Sequence, residues 1–83
     1  AMALVLRIKF PLSYPVIYKT LRIDSSLTVR QAIANVNETL RVNVPVDSIG
    51  LYLPHEKRWL DDNQVLSTVP ELQEAVSNRC LCL

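Results

Sequence analysis

Along the first forty residues the spacing of apolar side chains changes from two to between three and four, and few small folds accommodate both halves of that change. Leu4, Leu6, Ile8 and Phe10 alternate with Val5, Arg7 and Lys9, the period of a strand with one buried face. Pro11 and Pro15 lack amide hydrogens, so pairing lapses between them and a turn is predicted through Leu12, Ser13 and Tyr14. A second strand follows over residues 16–24. There Leu21 and Ile23 face inward, and Tyr18, Thr20 and Arg22 take the other side. Lys19 heads the inward row, where its stem can cover apolar surface while the ammonium reaches water at the sheet margin.

The helical half opens at Thr28. Thr28-Val29-Arg30-Gln31 has the form of a capping box, in which a hydroxyl and a carboxamide satisfy two otherwise orphaned amides. Val29, Ala32, Ile33, Val36 and Leu40 then form one stripe, with Arg30, Ala34, Asn37, Glu38 and Arg41 predicted to point outward. The β-branched Val42 and Val44 and the following Pro45 place the helix end near Arg41.

Beyond it, Asp47 to Gly50 reads as a turn, residues 51–53 and 58–60 as two short strands, and Asp61, Asp62 and Asn63 as another turn. Trp59 is expected to be a packing residue. Pro70 predicts a short helical entry over residues 71–76, and residues 79–83 read as a last strand. On that strand Cys80 and Cys82 share a face, as a pair of small buried hydrophobes in a reducing compartment would. The order strand, strand, helix, strand, strand, short helix, strand predicts an α+β fold, a β-grasp whose mixed sheet wraps one long helix.

Eighty-three residues with 49% hydrophobic content suffice for one core, so residues 1–83 are read as a single domain. No apolar run is long enough to cross a bilayer and no signal-peptide pattern opens the chain, so a cytoplasmic location is expected. Ala1-Met2-Ala3 resembles a start carrying a tag-derived residue, and a piece of a larger protein is expected.

Several function classes lack their parts. Two Cys spaced C-x-C and the lone His55 fall short of a zinc set. His55 has no nucleophile to serve, no glycine-rich phosphate cradle exists, and the paired Asp61 and Asp62 suit a turn. The expectation is a non-enzyme without cofactor or metal. The sole glycine, Gly50, leaves no Gly-Gly tail for conjugation, and the scattered cations do not interleave with stacking aromatics as a nucleic-acid binder would require. Charge is nonetheless polarised: residues 1–41 carry +4 and the remainder −3, which favours an acidic partner on the N-terminal half.

Four stretches, RIKFP from Arg7, KTLRID from Lys19, GLYLP from Gly50 and WLDD from Trp59, resemble in order and spacing the ubiquitin-like domains at the N-termini of Shank proteins and talins. The resemblance implies a Ras-association-like module that binds a GTP-loaded Ras or Rap protein through its first two strands and helix, with the second strand at the sheet edge. It also implies charged contacts from an Arg on the first strand and a Lys near the start of the second, here Arg7 and Lys19. Lys9, Arg22 and Arg30 are expected to complete the patch.

The same cations have a plainer use as gatekeepers against edge aggregation. The competing functional expectation is a structural domain that packs within its parent protein. A monomer is expected, reaching the inner face of the plasma membrane only through its GTPase. For Leu12 and Tyr14 contact with a lipid surface is weighed against loop packing, and loop packing is expected, since no cluster of Lys or Arg flanks them.

Overall fold

The helix begins where the capping box puts it. In the computed structural model, which describes residues 3–73 and the backbone of residues 78–82, α1 covers Val29–Leu40. Thr28 Oγ1 accepts from the Gln31 amide, while Gln31 Oε1 accepts from the Thr28 amide at 3.0 Å. Its next amides are also partnered: Val29 N–H donates to the Gln64 carbonyl and Arg30 N–H to that of Asp62. The N-terminus of α1 is thus sealed by the turn over residues 61–64 instead of by water. At the other end Arg41 adopts the left-handed conformation (φ 57°, ψ 44°) and its N–H returns to the carbonyls of Asn37 and Glu38.

The strands are β1 (Ala3–Lys9), β2 (Tyr18–Asp24), β3 (Gly50–Leu53), β4 (Arg58–Trp59) and β5 (Asn78–Cys82). They form one sheet in the order β2-β1-β5-β3-β4. β1 pairs antiparallel with β2 and parallel with β5, and β3 is antiparallel to both β5 and β4. Short 3-10 turns at Val46–Ser48, Leu66–Thr68 and Pro70–Gln73 complete the path. The sequence predicts a helical entry reaching residue 76, of which residues 74–76 lie outside the described ones.

One face of the sheet closes on α1. Leu6, Ile8, Ile23, Leu51 and Leu53 meet Val29, Ala32, Ile33 and Val36, and Leu66, Val69 and Leu72 fill the open side. Each such side chain contributes roughly 1.5–3 kcal/mol by leaving water. The predicted parity of β1 and β2 holds throughout, with Leu40 half-buried at the end of the helical stripe.

Three expectations are corrected. Asn37, predicted to point outward, is 6% exposed. Its Oδ1 accepts from the buried Tyr14 hydroxyl and its Nδ2 donates to the Val44 carbonyl, so hydrogen bonding settles it in the core at a position the apolar stripe passes over. Trp59, read as a packing residue of the core, is half-exposed on the sheet face away from α1, tilted against Tyr52 at 4.9 Å. It shares that face because it stands opposite Tyr52, while its neighbour Leu60 turns inward. Gly50 makes room: a Cβ there would stand 3.1 Å from the indole. Leu12, read as loop packing with Tyr14, is fully exposed, and only Tyr14 packs, against Phe10. The register sets Cys80 opposite Tyr52 and Cys82 opposite Gly50, but burial of the two thiols lies outside the described side chains.

Candidate functional site

Among the described residues β2 pairs with β1 alone, so its far side is an open edge. Phe10 N–H donates to the Ile17 carbonyl at 2.8 Å. Ladder bonds alternate along an antiparallel pair, so Lys19 and Leu21 spend their backbone groups on β1. The N–H and C=O groups of Tyr18, Thr20 and Arg22 face outward instead. Those three residues are exposed, and they offer alternate backbone positions to an incoming strand.

The cations distribute by the same parity. Arg7 stands opposite Thr20, Lys9 opposite Tyr18 and Val5 opposite Arg22, which puts Arg7, Lys9 and Arg22 on the sheet face away from α1. Tyr18 holds two of them together: the Arg7 guanidinium lies 5.0 Å and the Lys9 ammonium 5.9 Å from its ring centroid, an arrangement in which the ring's negative face lowers the mutual repulsion of the two charges. Lys19 stands opposite Ile8 and so belongs to the helix side of the ribbon, where it is exposed at the margin as its place in the inward row predicts. The open edge thereby has cations above and below it. Between Ala3 and Ile23 the chain contains no Asp or Glu.

Arg30 is not brought into this group. From the first turn of α1 it forms an ion pair with Asp47 at 2.5 Å, and Asp47 with Asp62 behind it raises the guanidinium pKa above its ordinary value. The sequence reading grouped Arg30 with the other cations because the segment that carries Asp47 back past the helix is not visible in local spacing. Asp24 ends the edge, its carboxylate accepting from the Ser26 amide and hydroxyl, which hold its pKa below the usual range. The sequence reading missed Tyr18 as the organiser of the patch. The signal was present in the alternation of Arg7 and Lys9 on one strand with Tyr18 on the next, but only the cross-strand register turns it into a contact. Among the described residues no three His, Cys, Asp or Glu side chains gather as a metal site.

The mixed sheet, with β1 and β5 parallel at its centre and a single long helix across one face, also occurs in solved structures. A structure described as molecular mimicry of SUMO that promotes DNA repair matches with a TM-score of 0.79 at 20% identity, over 100% of this chain and 94% of that one. This chain has the ubiquitin-like fold. The ubiquitin-like domain of Dsk2 from Plasmodium falciparum matches at 0.70 and 18% identity over 96% of both chains. Ubiquitin of Caldiarchaeum subterraneum does so at 0.70 and 16%, over 96% of this chain and 91% of the other. No family model and no curated protein matches the sequence. Among the described residues the sheet has two edges, β2 and β4; β2 is the longer and carries two cations, Lys19 and Arg22, to the one on β4, Arg58.

Proposed function

We propose that this ubiquitin-like domain is a protein-interaction module, without catalytic activity of its own, that binds a Ras- or Rap-family GTPase in its GTP form by accepting a partner strand along β2. The observation that carries the reading is the open edge itself. Tyr18, Thr20 and Arg22 offer their backbone groups there, between Arg7, Lys9 and Arg22 on one side and Lys19 on the other. Backbone pairing supplies affinity that does not depend on sequence, and the cations select a partner surface of opposite sign. Arg30 contributes less than the sequence suggested, because its charge is already neutralised by Asp47. The resemblance of the Arg7 and Lys19 stretches to Shank and talin modules supports the choice of partner.

Calorimetric titration of the domain with Rap and Ras proteins, each loaded with GTP and with GDP, tests it. Preference for a GTP form is expected, and equal or absent binding of both forms sinks the GTPase reading. The half-exposed Trp59 at the opposite edge, tilted against the partly buried Tyr52, favours a second reading, in which that face packs against a neighbouring domain of the parent protein. In that case the indole fluorescence of the isolated domain would differ from that of a longer fragment, while GTPases would have no effect on it.

A further inference from the structure

The most exposed large apolar side chains of the described residues lie together at one end of the β1–β2 hairpin: Leu12 is 100% and Ile17 66% exposed. They are not loose. Tyr14 N–H closes a turn onto the Pro11 carbonyl at 3.0 Å, with Leu12 and Ser13 at its centre. The Tyr14 ring stacks on Phe10 and its hydroxyl is bound by the buried Asn37. Ile17 is fixed by its carbonyl, which accepts from Phe10. The loop therefore spends Tyr14 on the core and holds Leu12 out in water, where its side chain forgoes the gain of burial.

Next to this tip the hairpin's own charges are of one sign. Lys9 and Lys19 stand on opposite faces of the ribbon within the next two cross-strand pairs, Arg7 follows in the third, and the first acid of the hairpin, Asp24, lies at its other end opposite Ala3. The last turn of α1, tied to the loop through Tyr14 and Asn37, adds Glu38 and Arg41, which offset one another. The register thus brings cations that lie on either side of Leu12 in sequence to neighbouring positions behind the loop, on both faces of the ribbon.

We infer that the hairpin tip docks on an anionic bilayer surface, with Leu12 and Ile17 entering the headgroup boundary and Lys9, Lys19 and Arg7 meeting the negative leaflet. An apolar point ringed by cations on both sides is complementary to such a surface, where affinity grows with buried apolar area and with each cation near the plane. The inference shares Arg7, Lys9 and Lys19 with the GTPase reading but not the backbone of the edge, so vesicles free of any GTPase test it separately.

Co-sedimentation of the domain with vesicles tests it. Association with equimolar phosphatidylserine and phosphatidylcholine, none with phosphatidylcholine alone, and weakening by added salt are expected. Leu12→Asp should weaken association about tenfold or more, with the urea midpoint unchanged because Leu12 touches nothing in the fold. Lys9→Glu, also at an exposed position, should weaken it comparably. Three results would overturn the inference: no association with phosphatidylserine vesicles, a Leu12→Asp protein that binds them as the wild type does, or concentration-dependent self-association that Leu12→Asp removes, which would make a second copy the occupant of the tip.

Discussion

Tyr14 and Asn37 are the pair on which the exposed loop depends. Removing only the hydroxyl, in Tyr14→Phe, leaves the ring stacked on Phe10 but strips a partner from a buried amide oxygen. A loss of about 1–3 kcal/mol in urea unfolding is expected, and a loss near zero would mean the carbonyl finds water. Burial raises the Tyr14 pKa. The unfolded chain therefore ionises first: the contribution of this tyrosine is intact below its ordinary pKa of about 10 and is lost as pH climbs from there through the folded-state value. Stability measured against pH should fall more steeply on the alkaline side for the wild type than for Tyr14→Phe. The bond was not legible in the sequence, because periodicity ranks side chains by hydrophobicity and so sends an asparagine to the surface. The Tyr14 to Asn37 contact is decided by how a loop lies against a helix.

For α1 the legible part is large. The capping box, the buried faces of Val29, Ala32, Ile33 and Val36 and the end near Arg41 all follow from local rules, and all are observed. Ile33→Ala, 2% exposed at mid-helix, should cost about 2–5 kcal/mol in urea unfolding, since the sheet beneath cannot collapse into the space left. Thr28→Ala should cost less, about 0.5–2 kcal/mol. A shift toward the lower end would be explained by the carbonyls of Gln64 and Asp62, which hold the neighbouring amides whatever occupies position 28. The short elements were less legible. β4 has two residues, and with so few positions neither period nor hydrophobicity could tell that Leu60 turns in while Trp59 stays out.

At the scale of the molecule, the sequence implied the polarity of charge and the fold class, but not the partition of the cations. Arg7, Lys9 and Arg22 share one face because of β1–β2 register, and Arg30 leaves the group because Asp47 returns to it. The double reversal Arg7→Glu with Lys19→Glu should weaken binding to a GTP-loaded Ras or Rap protein at least about tenfold, or about 1.4 kcal/mol. Both side chains are exposed, so the circular dichroism spectrum should not change. Equal binding by wild type and double mutant would move the interface off this edge. The strand order carries a further consequence, for synthesis. β5 is the last of the described strands and yet stands at the middle of the sheet, between β1 and β3. On the ribosome the first hairpin and the β3–β4 pair therefore have no bridge between them until residues 78–82 leave the exit tunnel, and β1 waits through that interval with its inner edge open. Closure of the parallel β1–β5 pair joins the most distant parts of the sequence, the kind of non-local contact that raises contact order and slows folding.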